Sequence, residues 1–327
     1  MISLSPKTKE ATMKPTLTVA TTAWSLNNRQ SGPQLAEQAE IAESLNYHSF
    51  WLPENHFNGG GSLPSPLMLL AAISSRTKKI KLATTSYLLP IRHPIQAAEE
   101  VAVLDQLSQG RVILGIGRGF QSSMFSVFNV DPKLKRQKFS STLKQMLAAW
   151  SGESVGEELM ADGSLKPIHL SPLPVQKPHP PIWVAAFGPL ALKQAGTLGL
   201  PYLASPIETI QVLVENYRQH NEHLASSGKQ MLDTVPVMRT IFVCKDYKKI
   251  RNVRQQVEKN ALLSGRRSPG DNLDDWALIG DPDFVRAGLD KYRAQLGMTH
   301  LIASGRMAET SSEDYLNSLQ LLAELNS

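Results

Sequence analysis

Apolar runs of four to seven residues alternate with amphipathic stretches of ten or more along nearly the whole chain, and this rhythm constrains the fold more than any other feature. Short apolar runs bounded by turn residues read as buried strands, and longer stretches with apolar residues at i, i+3, i+4 and i+7 read as helices. The spacing predicts strands at Leu17–Ala20, Ser49–Leu52, Ile80–Leu89, Val112–Ile116, Ile182–Ala186, Tyr202–Ala204, Val235–Val243 and His300–Ala303. It predicts helices at Pro33–Leu45, Pro66–Ser74, Pro94–Leu107, Phe139–Trp150, Leu190–Leu198, Glu208–Ser226, Asp246–Leu263, Phe284–Leu296 and Ser312–Leu325. Each strand is followed by a helix, with one extra helix before the last strand. Residues 151–181 break the rhythm with six prolines and three glycines, and read as a loop or hairpin excursion.

Strict alternation implies parallel strands joined by crossover helices. Eight units allow either a closed barrel or an open doubly wound sheet. The open sheet makes a testable demand, a dinucleotide fingerprint, and the one glycine cluster that comes near it is Gly115-Ile116-Gly117-Arg118-Gly119-Phe120. That cluster has Phe120 where the last glycine belongs, and more loop follows where a helix should start. The expectation is therefore a (β/α)8 TIM barrel with loop insertions, a single domain over residues 16–327 behind a flexible N-terminal tail at 1–15.

Composition removes several classes of function. With 42% apolar and 19% charged residues in a chain of 327, this is an ordinary globular protein. No run approaches the ~18 apolar residues of a membrane span, and residues 1–15 lack the apolar core of a secretory signal. The single cysteine, Cys244, excludes an internal disulfide and suits a reducing cytoplasm, so the expected location is cytoplasmic. The 34 basic and 29 acidic residues leave a net charge of +5. The excess lies in runs such as Lys133–Lys138 and Lys248–Arg254 that lack interleaved aromatics, so solvated helix faces are expected rather than a nucleic-acid surface.

In a parallel barrel the active site forms at the carboxyl ends of the strands. This restricts the candidates to Trp24, Asn27, Asn28 and Arg29 after the first strand and to Glu54, Asn55, His56, Phe57 and Gly59-Gly60-Gly61 after the second. Thr84–Tyr87, Arg92 and His93 follow the third, Gly117–Phe120 the fourth, and Phe187–Pro189 the fifth. Glu54 and His56 have no second close histidine, so no metal site is expected. Gly-x-Ser-x-Gly is absent, which argues against a serine nucleophile. Arg118 sits between glycines directly after a strand, where the backbone can approach a ligand and a guanidinium can hold a phosphate in two bonds. Gly188-Pro189 opens the next helix, whose free N–H groups suit the same phosphate. The alternative for Arg118 is a pairing with Glu54 or Asp131, and for Glu54 a loop partner for an arginine.

The chain resembles the bacterial-luciferase-like flavin-dependent monooxygenases and oxidoreductases. The resemblance is carried by Tyr47–Phe57 and by the run LATTSYLLPIRHPIQAAEEVAVLDQLSQGRVILGIGRGF from Leu82 to Phe120. Weaker echoes begin at Pro180 and Gly280. The resemblance implies a (β/α)8 barrel with reduced FMN at the carboxyl end, supplied by a separate flavin reductase, and commonly a homodimer. It places a non-prolyl cis bond at Thr85-Ser86 beneath the flavin ring, the phosphate at Arg118, Gly119 and Gly188, and Glu54 in the cofactor site. His56 and Asn55 are the implied catalytic pair. Asn55 departs from the family: it stands where the luciferase catalytic subunit has a histidine, just as Gly117 stands where that subunit has a reactive cysteine. The expected function is an FMN-dependent monooxygenase using dioxygen on a small organic substrate. The alternatives are a deazaflavin-dependent hydride-transfer enzyme and a non-catalytic flavin-binding relative.

Overall fold

A computed structural model describes residues 17–24, 32–57, 62–265, 267–268, 270–305, 307 and 310–326. The tail at 1–15, Asn27, Asn28, Arg29 and Gly59-Gly60-Gly61 lie outside the described residues. The elements run in order β1 (Thr18–Thr22), α1 (Gly32–Ser44), β2 (Ser49–Leu52), α2 (Pro66–Arg76), β3 (Lys81–Thr84), β4 (Tyr87–Leu88), α3 (Pro94–Leu107) and β5 (Val112–Gly117). There follow α4 (Ser122–Val127), α5 (Lys135–Trp150), β6 (Ser154–Leu159), β7 (Leu165–His169), β8 (Ile182–Ala185), α6 (Pro189–Leu198), β9 (Tyr202–Leu203) and α7 (Ile210–Ser226). The chain finishes with β10 (Pro236–Val243), α8 (Tyr247–Leu263), β11 (Ala277–Gly280), α9 (Pro282–Leu296), β12 (His300–Ser304) and α10 (Ser312–Asn326).

The result is a single α/β domain built on a curled parallel sheet. The strand order is β11-β10-β12-β1-β2-β3-β5-β8-β9, with β4 also pairing with β5. The far end turns back on β10 through one parallel bridge, Ala204 to Val237, whose two backbone hydrogen bonds are both 3.4 Å long. Alternation along the strands sorts the core into two layers. One inner cluster takes Ala20, Trp51, Ala83, Ile113, Trp183, Leu203, Met238 and Ile302, one residue from each of β1, β2, β3, β5, β8, β9, β10 and β12. Within it Trp51 and Trp183 stack with ring centroids 5.0 Å apart. The opposite faces of the strands pack against the helices through residues such as Phe50, Leu82, Leu114, Val184 and Leu301.

Three local expectations are corrected and one open choice is settled. The strand read as Ile80–Leu89 is broken: β3 ends at Thr84, the Thr85-Ser86 peptide is cis, and β4 resumes at Tyr87. The helix read from Phe139 starts at Lys135, and α4 precedes it. Residues 151–181 contain an antiparallel hairpin, β6–β7, which resolves the choice between loop and hairpin. The extra helix before the last strand is not extra, because β11 lies between α8 and α9 and pairs with β10. Among the described residues, no helix is long and apolar enough to cross a membrane.

Two glycines of β5 are required by close approach. A Cβ on Gly115 would lie 1.9 Å from the Thr84 carbonyl oxygen, and one on Gly117 would lie 2.1 Å from Ser86 Oγ. The broken strand therefore presses directly on β5, and Thr84 Oγ1 donates to the Gly115 carbonyl at 2.7 Å. A cysteine at position 117 would collide with Ser86, which gives a physical reason for glycine there.

At the amino-terminal pole His300 lies against His48 and Trp183, with centroids 5.8 and 5.3 Å away. Burial, aided by the neighbouring His48, pushes His300 down from 6.5 to about 4. His48 and His220 are lowered as well, chiefly by burial. The unfolded chain takes up these protons near pH 6.5, while the folded chain resists until lower pH. Stability is thus fully present above pH 6.5 and is lost as pH falls toward 4. The melting temperature is expected to decline across that window, and His300→Asn to flatten the decline. A wild-type curve level between pH 6.5 and 4 contradicts this.

Candidate functional site

The carboxyl ends of β2, β3 and β5 bring together most of the residues singled out from sequence. Pro53 and Glu54 leave β2 toward the cis Thr85-Ser86 peptide, whose Thr85 N–H donates to the Leu52 carbonyl at 2.8 Å. The Glu54 side chain is fully buried. Its Oε1 accepts from His56 Nε2 at 2.7 Å and from Arg92 Nη2, and its Oε2 accepts from the Leu88 N–H at 2.8 Å. Arg92 in turn lies over the Tyr87 ring at 4.5 Å. Burial pushes the Glu54 carboxyl above the usual carboxylate range, against the opposing pull of Arg92, the Leu88 N–H and His56. The reading of Glu54 as the partner of an arginine is met, and the arginine is Arg92.

His56 is buried, with its ring edge-on to Phe128 at 5.0 Å. Because Nε2 is held by Glu54, Nδ1 is the ring nitrogen left for a reacting group. Asn55 has a local duty: Oδ1 accepts from the Leu63 N–H at 3.0 Å, and its own N–H donates to the Leu63 carbonyl at 3.1 Å, tying the end of β2 to Leu63. Its side-chain amide nitrogen remains a donor.

Arg118 follows β5 and is half-buried. Neither proposed carboxylate meets it. Glu54 is taken as described, and Asp131 caps its own turn by accepting from the Lys133 N–H at 2.8 Å. Burial lowers the Arg118 guanidinium from its ordinary value, and the nearby positive charge of Arg136 adds to the effect. A partly desolvated cation beside a second cation, with no carboxylate bonded to it among the described residues, is a seat for an anion. Gly119 has φ of +71°, and a Cβ there would come within 2.6 Å of Met124 Cε. On the adjacent strand, with Ile116 opposite Val184, Gly188 caps α6 at φ of +75° and Pro189 takes the first helical turn. The amino-terminal end of α6, where the Ala191 and Leu192 N–H groups both turn to the Gly188 carbonyl at 3.0 and 3.2 Å, and the Arg118 guanidinium thus follow neighbouring strands, and the positive end of the helix and the cation suit a phosphate. Four exposed phenylalanines, Phe57, Phe120, Phe128 and Phe187, stand on the loops that follow these strands.

The sequence placed Arg92 among the candidates without giving it a partner, and did not single out Phe128 and Arg136. Arg92 lies 38 residues from Glu54 along the chain, so no local spacing signals the pair. Phe128 ends α4, an element that the periodicity did not show.

Comparison with known proteins agrees with this geometry. Residues 15–254 match the family described as luciferase-like monooxygenase. The oxygenase component of flavin-dependent trigonelline monooxygenase from Acinetobacter baylyi is 30% identical over 198 residues, which are 59% of this chain and 53% of that one. The match with an uncharacterised Sinorhizobium fredii protein takes in 60% of that relative's length. The chain therefore spans only about half to three-fifths of these two curated relatives. Among solved structures, the monooxygenase RslO1 from Streptomyces bottropensis superposes with a TM-score of 0.81 at 25% identity, covering 94% of this chain and 98% of that one. Two more distant structures share the fold. One is the oxygenating constituent of 3,6-diketocamphane monooxygenase of Pseudomonas putida, in complex with FMN, with TM-score 0.79, 19% identity and coverage of 94% and 97%. The other is the coenzyme F420-dependent tetrahydromethanopterin reductase of Methanopyrus kandleri, with TM-score 0.69, 18% identity and coverage of 95% and 98%.

Proposed function

The chain belongs to the luciferase-like monooxygenase family, and from that premise we propose that it is a two-component monooxygenase that takes reduced FMN from a separate reductase and oxidises a small apolar substrate with dioxygen. The observation that carries the reading is Arg118, half-buried beside Arg136 with no carboxylate bonded to it among the described residues, at the end of the strand that pairs with the one leading into α6. The oxygenase component among the relatives supports the separate reductase.

We also read the curled sheet as a closed (β/α)8 barrel. The Ala204–Val237 bridge and the inner cluster drawn from eight strands support that reading. Reduced flavin, when bound, supplies the electrons that activate dioxygen. The protein's part is to hold and to exclude. Arg118, Gly119 and Gly188 anchor the phosphate, and Thr85 and Ser86 form the floor beneath the ring. Glu54 fixes Arg92, His56 and the Leu88 N–H, so it serves the cofactor site by placing its walls. His56 Nδ1 and the Asn55 amide face the reacting atoms, with His56 moving the proton. The phenylalanines on the loops keep water from the mouth and favour an apolar substrate.

Arg118→Ala is expected to weaken FMN binding about 10–150-fold, since a charge-assisted bond contributes ~1.5–3 kcal/mol. Fluorescence quenching measures this, and an unchanged affinity removes the phosphate assignment. A second reading, hydride transfer with a deazaflavin, is kept because an F420-dependent enzyme shares the fold. A homodimer is the proposed assembly, with the exposed Met68 of α2 and Val103 and Leu107 of α3 at the interface. Light scattering at micromolar concentration checks it, and a monomer contradicts it.

A further inference from the structure

A second polar cluster lies between β10, α9 and the loop that joins α8 to β11, and the site described above makes no use of it. Arg239 of β10 is fully buried. Its Nε donates to Tyr292 Oη at 2.8 Å, and its Nη1 donates to the carbonyls of Ser205 and Met238 at 2.8 and 3.0 Å. Its Nη2 is buried with no acceptor among the described residues. Arg267 stacks on Trp276, with the guanidinium carbon 5.2 Å from the ring centroid, and its side chain is only 14% exposed. Arg267 Nε and Nη2 and Trp276 Nε1 also lack acceptors among the described residues. Burial lowers the Arg267 guanidinium from its ordinary value and the charge of Arg239 adds to the effect, while Asp271, Glu208 and Asp275 oppose it.

Three side chains thus turn four buried donor nitrogens toward no acceptor. A buried donor left unpaired has lost its hydration without return, and native structures seldom tolerate this. The nearby carboxylates leave these nitrogens without a hydrogen bond, although Asp271 forms a long ion pair with Arg267. Glu208 accepts from Tyr202, Ser205 and Asn216, Asp274 pairs with Arg254 at 2.7 Å, and Asp275 accepts from Gln211 at 3.2 Å. Asp271 accepts from the Ser268 N–H and stays 3.8 Å from Arg267 Nη1, beyond hydrogen-bond reach. Beside Arg267 and Trp276 opens a cavity of about 260 Å³, whose lining also includes Ser268, Gly270 and the carboxylates Glu258 and Asp271.

We propose that Arg267 and Trp276, with the buried Arg239 adding positive charge, form a binding site for an oxyanion, a sulfate, phosphate, sulfonate or carboxylate group, separate from the flavin phosphate seat. The missing acceptor is then the ligand's oxygens. Planar guanidinium forks suit such a group, and the indole N–H adds a third direction. The site stands whether or not the chain is a monooxygenase, because it uses none of the residues at the mouth.

The test is thermal unfolding of the flavin-free full chain titrated with sodium sulfate, with ionic strength held constant by sodium chloride. Sulfate stabilises folded proteins in general, so the comparison is between variants. Wild type and Arg118→Ala are expected to gain about 2–4 °C more than Arg267→Gln at saturation. Trp276→Phe, which keeps the ring and removes the donor, is expected to need several-fold more sulfate. An equal gain in all four proteins overturns the proposal. So does a gain lost in Arg118→Ala alone, which would place the anion at the flavin phosphate seat. Replacing sulfate by propanesulfonate identifies the source: tighter binding assigns the site to an anionic group on an organic ligand, weaker binding to a free inorganic ion, and either order supports the site.

Discussion

Turnover of His56→Asn is expected to fall by about 10²–10⁴-fold, the span usually lost when a positioned proton carrier is removed. FMN affinity should stay close to wild type, because the proposed phosphate seat is on β5 and α6 rather than on the loop after β2. The size of the effect follows from the arrangement. Glu54 accepts from Nε2 at 2.7 Å, which fixes the ring and the tautomer and commits Nδ1 to the reacting side. Phe128 closes one edge of the ring at 5.0 Å and keeps water off it. Asparagine preserves a donor and an acceptor but does not exchange a proton near neutral pH. A purely structural histidine would give another result on the same preparation, a lower melting temperature with turnover per folded molecule preserved.

Glu54→Ala is expected to be the most damaging single change to stability near the site. The substitution strands the Arg92 guanidinium, His56 Nε2 and the Leu88 N–H together in a place where the carboxylate side chain is wholly buried. Removing one partner of a buried pair costs about 3–5 kcal/mol, because the remaining charge has no water to return to. For a chain of this size that corresponds to a fall in melting temperature of roughly 6–15 °C. Glu54→Gln keeps the shape and one acceptor and should cost clearly less. Calorimetry on the three proteins checks the order, and an alanine variant melting within about 2 °C of wild type would show that the Arg92 and His56 bonds do not form.

Much of this architecture was legible before the structure because buried strands and amphipathic helices have different periods, and the chain keeps them distinct. What escaped was short or continuous in composition. Ala277–Gly280 is a four-residue strand that borrows its place from β10. Ser122–Val127 is a helix of under two turns. The break in the third strand fell inside Thr84-Thr85-Ser86-Tyr87, a run whose β-branched and aromatic residues read as uninterrupted strand, so only the resemblance pointed to Thr85-Ser86. Arg118 and Gly188 could be picked out locally, since glycines beside a strand end announce a backbone that must come close to something. Arg92 was on the candidate stretch too, but its pairing with Glu54 was not legible, because that meeting depends on the placement of β2 beside β3 and not on sequence spacing. Asn55 was read for its chemistry, while half of its side chain serves to pin Leu63.

The central claim, reduced FMN held by Arg118 and presented to dioxygen, is tested most directly by anaerobic titration with reduced FMN followed by rapid mixing with oxygenated buffer. One flavin is expected to bind per chain, with reoxidation at a rate distinct from that of free reduced FMN and a return to the free rate in Arg118→Ala. Failure to bind reduced FMN, or binding of a reduced deazaflavin in its place, would contradict it.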